Sequence, residues 1–199
     1  MEKNLNDTVM SDEQLENEIQ RTIRKSQRWT VFKSTVLILL IAAAICVIAA
    51  GSWLPLYHIT GHSMEPLLKQ GQIVAAFRTN ELERGDIAVF YHENQILVKR
   101  VIGLSGDRIS IDPQGKVFVN GRVLNETYVA LPALEPSNLT YPYQVPEDSY
   151  FVMGDHRAES IDSRLSSVGC IKKDAVAGKA IFRIWPIRQV DYIGWREGA

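Results

Sequence analysis

The chain has 199 residues, enough for one sizeable domain with appendages. Its hydrophobic share of 46% and charged share of 23% are those of a globular protein, and they exclude disorder over most of the chain. Proteins that bind nucleic acids usually carry a basic patch or stripe, and a net charge of -1 gives no sign of one. We therefore expect no nucleic-acid partner. Cys46 and Cys170 form neither a disulfide framework nor a zinc motif, and we expect no cofactor.

Residues 1–33 are mostly polar and are predicted to form a cytoplasmic segment. Leu15, Ile19 and Ile23 recur every four residues, which favours a short amphipathic helix. Acidic residues precede basic ones here, an order that suits the helix dipole. We find no catalytic feature in this segment and expect a solvated tail at the membrane surface.

Residues 34–57 carry no charged side chain and predict a transmembrane anchor in contact with membrane lipid. A membrane-spanning helix needs about 20 mostly apolar residues, and Trp29 and Trp53 lie near the two ends, where aromatic belts occur. A cleaved signal peptide is the alternative, but its apolar run is only about 7–15 residues. The positive-inside rule puts the N-terminus in the cytoplasm, because basic residues cluster just before the run: Arg21, Arg24, Lys25, Arg28 and Lys33.

Residues 58–199 are rich in strand-like runs and are predicted to form one extracytoplasmic, mainly β domain. Asn120-Gly121 accepts the positive φ angles of a type I′ turn and predicts a hairpin. Residues 130–147, with four prolines, predict an irregular loop. The predicted strands are 72–77, 87–91, 96–102, 108–111, 117–119, 150–152 and 179–185.

The stretch Gly61-His-Ser-Met-Glu-Pro66 contains a candidate nucleophile, Ser63. A serine hydroxyl attacks a carbonyl only when a base removes its proton, and taken alone this stretch is more simply a turn. The strand 96–102 supplies a candidate base. There Leu97, Lys99 and Val101 share one face, and burial among apolar neighbours lowers the pKa of a lysine. A lysine that snorkels into solvent is the alternative and the commoner case.

A third polar stretch, Gly154 to Arg164, directly follows an apolar strand. It is either a surface loop with an internal Asp162–Arg164 ion pair or a shell of hydrogen-bonding groups that fixes the lysine through hydroxyls such as Ser160.

Together these three stretches resemble the ordered motifs of bacterial type I signal peptidases. Arg84-Gly-Asp86, Ser105-Gly-Asp107 and the closing Trp185-Pro186 match as well. The resemblance covers the anchor and nearly all of the outer domain, and it is greatest for Gram-positive members. Members of the eukaryotic reticulum carry histidine in place of the lysine.

The resemblance implies a coiled β-sheet serine peptidase with a serine–lysine dyad. Ser63 matches the nucleophile and Lys99 the general base. The implied supporting residues are Ser160, which orients the lysine amine, Asp155, the Asp162–Arg164 ion pair, and Met64, which packs against the lysine. Gly61 departs from members that carry an oxyanion-binding serine there, and His156 stands where asparagine is usual.

The distance from the anchor also agrees with cleavage of secretory preproteins. Ser63 is six residues beyond Tyr57, so an extended chain puts it within roughly 22 Å of the anchor. Signal peptides present an Ala-x-Ala-like site just outside the bilayer. Small residues suit shallow pockets, and the substrate is expected to add a strand to the sheet edge beside Lys99. Besides Met64, the expected lining residues are Ile59, Leu68, Leu97 and Val98.

Three other hypotheses for the function compete with a signal peptidase. Self-cleaving repressors of the LexA type share the dyad but are soluble and carry a DNA-binding helix-turn-helix. A catalytically divergent, membrane-tethered assembly or binding module is expected to lack the nucleophile or the base. A histidine-dependent serine hydrolase would need one of four histidines: His58, His62, His92 or His156.

Overall fold

A long α-helix, α1, runs from Asp12 to Trp53 and precedes the strands of the described residues. The structure is a computed structural model that describes residues 12–129 and 137–194. Residues 1–50 and 51–199 form two compact units. Within α1, the stretch Gln27–Ile48 is long and apolar enough to cross a membrane, and none of it is buried.

The helix differs from the sequence-based expectation at both ends. The predicted short helix and the predicted span at 34–57 are one continuous helix, and it stops at Trp53. Pro55 explains the stop, because a proline lacks an N–H donor and restricts the residue before it to extended conformations. Leu56–His58 then form strand β1, which pairs with β2.

The remaining strands confirm a mainly β fold with one N-terminal apolar helix. All seven predicted strands are present, and the structure adds β1 and four two-residue strands that carry too little sequence pattern to predict. After β1 the bounds are β2 Ile73–Phe77, β3 Ile87–His92, β4 Gln95–Gly103, β5 Arg108–Ile111, β6 Val117–Val119, β7 Arg122–Val123, β8 Tyr143–Gln144, β9 Ser149–Met153, β10 Ile171–Lys172, β11 Val176–Trp185 and β12 Asp191–Tyr192.

The strands form two antiparallel sheets. The larger sheet has the order β1-β2-β11-β3-β4-β9-β10, with β12 paired to β11, and the smaller sheet has the order β7-β6-β5-β8. The Asn120-Gly121 hairpin is confirmed, since both residues have positive φ angles, 52° and 79°, between β6 and β7. Part of the predicted loop 130–147 lies outside the described residues, and Tyr143–Gln144 within it form β8.

Buried apolar side chains form three clusters that hold the sheets together. The first lies beneath the Ser63 turn and includes Met64, Leu68, Val74 and Val89, with Val98 packed against it. The second packs around β3, β4 and β9. The third joins the smaller sheet to β9 through Ile109, Val117 and Phe151.

Candidate active site

Ser63 lies in a tight turn that follows β1. The Glu65 amide donates to the His62 carbonyl at 3.0 Å, and the Leu68 amide donates to the Met64 carbonyl at 2.8 Å. Gly61 enters the turn with a φ of 81°, a left-handed conformation that glycine adopts without steric cost. The backbone therefore holds Ser63 at a defined position, and its side chain is half-buried.

The structure brings Lys99 to Ser63. The Lys99 Nζ lies 2.6 Å from the Ser63 Oγ, although the two residues are 36 positions apart in the chain. Lys99 is in β4, is paired with Ala88 of β3, and is only 3% exposed. Burial lowers the pKa of its amine from 10.5 to about 8, while Asp162 opposes the decrease and Arg164 adds to it. About a tenth of the amine is then neutral at pH 7, and the neutral amine can accept the Ser63 proton.

The loop after β9 lies directly against the Ser63 turn. The His156 amide donates to the Ser63 carbonyl at 3.0 Å. A Cβ atom on Gly154 would lie 2.4 Å from that same carbonyl oxygen and 2.3 Å from the Ser160 Oγ. Position 154 therefore has no room for a side chain, and Ser160 is packed beside the turn.

Ser160 does not make the expected bond to the lysine in this structure. Its Oγ is buried and has no hydrogen-bond partner among the described residues. His156 Nδ1 is in the same condition, and it lies 3.7 Å from Glu159 Oε2.

Two buried ion pairs support the site. Arg100, next to Lys99, donates to both carboxylate oxygens of Asp155 at 2.8 and 2.7 Å. Asp162 accepts from Arg164 Nε at 2.8 Å and from the Gly154 amide at 3.0 Å. All four charged side chains are at most 9% exposed, so each pair neutralises charges that would be costly to bury alone.

An open cleft of about 590 Å³ passes Ser63 and Lys99. Met64 and the expected residues Ile59, Leu97 and Val98 line it, whereas Leu68 is fully buried in the core and does not. Most of the other lining residues carry no sequence signal that assigns them to the site. They are Leu56, Tyr57, His58, Thr60, Gly61, Gln95 and Ile96.

Part of β4 presents an unpaired edge to this cleft. Residues 95–99 pair with β3 on one side, whereas β9 begins to pair with β4 only at Arg100. The five consecutive residues 95–99 of β4 line the cleft. An extended peptide can add a strand at such an edge.

Among the described residues, no histidine side chain hydrogen-bonds to Ser63 or Lys99. His62 Nδ1 pairs with Glu65 Oε1 at 2.8 Å, which raises the pKa of this exposed imidazole. In residues 12–129 and 137–194, no cluster of three or more His, Cys, Asp or Glu side chains could hold a metal ion.

Comparison with known proteins gives consistent matches. A sequence profile of the family described as signal peptidase, peptidase S26, matches residues 28–185. Signal peptidase I of Bacillus amyloliquefaciens is 30% identical over 187 residues, 88% of this chain and 98% of that protein. Signal peptidase IB of Staphylococcus aureus is 35% identical over 156 residues, 68% of this chain and 80% of that protein.

In two further matches, the alignment covers a smaller share of one of the two aligned chains. A probable signal peptidase I-2 of Synechocystis is 35% identical over 145 residues, 67% of this chain, and the match spans 64% of that protein. A crystal structure of a signal peptidase I from Enterococcus faecalis aligns with a TM-score of 0.41 and 29% identity, covering 51% of this chain and 97% of that one.

Proposed function

The chain belongs to the signal peptidases of the peptidase S26 family, and from that premise we propose that it is a membrane-anchored serine endopeptidase that removes signal peptides from secretory preproteins. The two relatives whose alignments span most of this chain and most of their own length are bacterial type I enzymes. The observation that carries the proposal is the 2.6 Å contact between the Lys99 Nζ and the Ser63 Oγ. It joins a hydroxyl to a buried amine whose pKa is lowered to about 8, as a serine–lysine dyad requires.

In the proposed reaction, the neutral Lys99 amine takes the Ser63 proton while the Oγ attacks the carbonyl carbon of the scissile bond. The carbon–nitrogen bond of the resulting tetrahedral intermediate then breaks, and the Lys99 ammonium returns the proton to the leaving amine. A water molecule, deprotonated by the same amine, hydrolyses the acyl-enzyme. Gly61 has no side-chain donor for the oxyanion, so we assign one donor to the Ser63 backbone amide.

The cleft supports a substrate that binds as an extended strand along the edge of β4 at residues 95–99. Ile59, Met64, Leu97 and Val98 make apolar walls close to Ser63. Narrow apolar pockets there would admit alanine and reject bulky residues, as an Ala-x-Ala cleavage site requires. Asp155, Ser160, Asp162 and Arg164 would act as support rather than touch the substrate.

We propose that α1 anchors the enzyme through Gln27–Ile48, in a single pass with the N-terminus in the cytoplasm. The polar and basic residues before this stretch support that orientation. The peptidase domain would then be outside, where the cleavage site of a preprotein emerges.

Cleavage of a purified preprotein by Ser63→Ala, Lys99→Arg and wild-type protein tests the proposal. Both variants should be folded and lose all measurable cleavage, because the first lacks the nucleophile and the second has a guanidinium that stays protonated. Activity in either folded variant would contradict the dyad. If the wild-type protein bound the preprotein without cutting it, the chain would be an assembly or binding module of the same fold.

A further inference from the structure

Arg157 is a large side chain buried near the site, and its partner comes from a distant segment. The residue is 2% exposed. Its guanidinium donates to both carboxylate oxygens of Glu126, through Nη1 at 3.1 Å and through a short Nη2 contact. Its Nε donates to the Gly154 carbonyl at 3.0 Å, and its own carbonyl accepts from Arg164 at 2.7 Å. Arg157 thus ties Glu126 to the loop that lies against Ser63.

A second contact leads from the same segment to the other half of the dyad. The Tyr128 ring covers the Arg100 guanidinium at 4.0 Å, a cation–π arrangement. Arg100 also donates to the Gly85 carbonyl at 2.8 Å and to Asp155, so its position is fixed on several sides. Since Arg100 directly follows Lys99 in β4, whatever holds Arg100 also limits the movement of Lys99.

Glu126 and Tyr128 belong to one short segment that follows the hairpin of the smaller sheet. The Tyr128 hydroxyl donates to Glu126 Oε1 at 3.2 Å, so the two side chains are also linked to each other. Thr127 between them is exposed. We call residues 126–128 the clamp.

We propose that Glu126 and Tyr128 are positioning residues for the Ser63–Lys99 dyad. They hold Ser63 and Lys99 in their relative positions through Arg157 and Arg100. The inference rests on the proposed function, since it concerns the geometry of the same dyad. One contact of the clamp fixes the loop whose His156 amide binds the Ser63 carbonyl, and the other fixes the neighbour of Lys99. Neither clamp residue lines the cleft. Loss of the clamp should therefore lower kcat and leave KM nearly unchanged, because the dyad shifts while the substrate walls remain.

The test measures kcat and KM of full-length protein in detergent with one preprotein, well below the thermal unfolding midpoint. For Glu126→Gln and Tyr128→Ala we expect kcat to fall by about tenfold to a hundredfold, the usual effect of a displacement on the order of 1 Å, with KM changed less than about threefold. Tyr128→Phe keeps the ring over Arg100 and should recover most of the activity that Tyr128→Ala loses.

Val117→Ala is the matched control, since it opens a cavity in the core beneath the smaller sheet without touching the charged network. It should lower the Tm and leave kcat unchanged. A folded Glu126→Gln protein with wild-type kcat, or a rise in KM alone, would overturn the inference. If Glu126→Gln does not fold, Tyr128→Ala decides on the same criteria. Cleavage by Ser63→Ala would instead overturn the proposed function, so the two failures are distinguishable.

Discussion

In the proposed mechanism, Lys99 serves reactivity at the expense of stability. It is 3% exposed in strand β4, and its pKa is lowered chiefly because burial removes water from the ammonium. The nearby carboxylate of Asp162 restores some of the lost stabilisation of the charge, and Arg164 removes some. At pH 7 the folded protein holds the amine in an environment that disfavours its charged form. Two measurable consequences follow, one for the rate and one for stability.

The rate should follow the titration of Lys99. Because the neutral amine is the reactive form, kcat/KM should rise about tenfold per pH unit below a pKa of about 8 and level off above it. His58→Ala, His62→Ala, His92→Ala and His156→Asn should each keep this limb and most of the activity. A limb near pH 6.5 that disappeared with one of these histidines would assign the base to that histidine instead.

Lys99→Met should make the folded protein more stable at pH 7. The folded pKa of about 8 lies below the unfolded value of 10.5, and this difference corresponds to about 3 kcal/mol. Below pH 8 the amine is protonated in both the folded and the unfolded state, so the folded protein is destabilised by the full amount. This destabilisation decreases between pH 8 and 10.5, and it vanishes above pH 10.5, where the amine is neutral in both states. Urea unfolding at pH 7 and pH 10.5 measures the free energy of unfolding. Lys69→Met, at an exposed position, should change it little, and equal stability of Lys99→Met and wild type at pH 7 would contradict the cost.

At the scale of elements, the loop between β9 and β10 packs directly against the Ser63 turn. It meets the Ser63 turn by the close approach of Gly154 and the His156 amide. Asp162 Oδ2 in turn accepts from the Gly154 amide, so the loop closes on itself beneath the turn. The contacts of Gly154 and His156 with Ser63 join backbone to backbone, and such contacts allow little adjustment when a neighbour changes.

Gly154→Ala should therefore abolish cleavage. The new methyl group would lie 2.4 Å from the Ser63 carbonyl oxygen and 2.3 Å from the Ser160 Oγ, so the turn or the loop must move. We expect a loss in kcat of at least about a hundredfold in a folded protein, measured with a preprotein. Gly103→Ala is the control: its methyl group would meet the flexible end of Ile109 at 2.7 Å, away from the dyad. Similar activity losses in both variants would point to general destabilisation.

The strands and the hairpin could be predicted from the sequence because their signals are local. A short apolar run indicates a strand, and the Asn120-Gly121 dipeptide indicates a turn, without information from the rest of the chain. The pairing of Arg157 with Glu126 could not be predicted, since two buried charges 31 residues apart meet only through the topology of both sheets. The end of the helix could not be predicted for a different reason. Apolar residues such as those at 54–57 fit a membrane anchor as well as a strand, and Pro55 is the signal that separates the helix from β1.

At the scale of the whole molecule, the chain separates into a helical unit and a β unit. The unit from Gly51 onward has its own three apolar clusters and contains Ser63, Lys99 and every residue that supports them. A unit with its own core can fold alone. The helical unit up to Ala50 supplies most of the apolar length that we propose as the anchor.

A protein that begins at Gly51 should fold and cleave a short soluble peptide with a kcat/KM close to that of the full chain. It should leave the membrane fraction under alkaline extraction, whereas the full chain should stay there. Peptide cleavage, circular dichroism and fractionation of expressing cells test these three outcomes. An unfolded truncated protein would mean that the β unit depends on the helix for its stability, and retention of the truncated protein would argue against α1 as the anchor.

The strand β11 is the last long strand of the chain, yet it lies between β2 and β3 in the larger sheet. A ribosome delivers Ser63 and Lys99 about a hundred residues earlier, when β2 and β3 still lack the strand that joins them. Pairing of such distant segments is slow and has to await the distal strand. We therefore expect a nascent chain to carry Ser63 and Lys99 in an unassembled sheet, and peptidase activity to appear only once synthesis has passed Trp185. This strand order would keep an incompletely synthesised chain inactive.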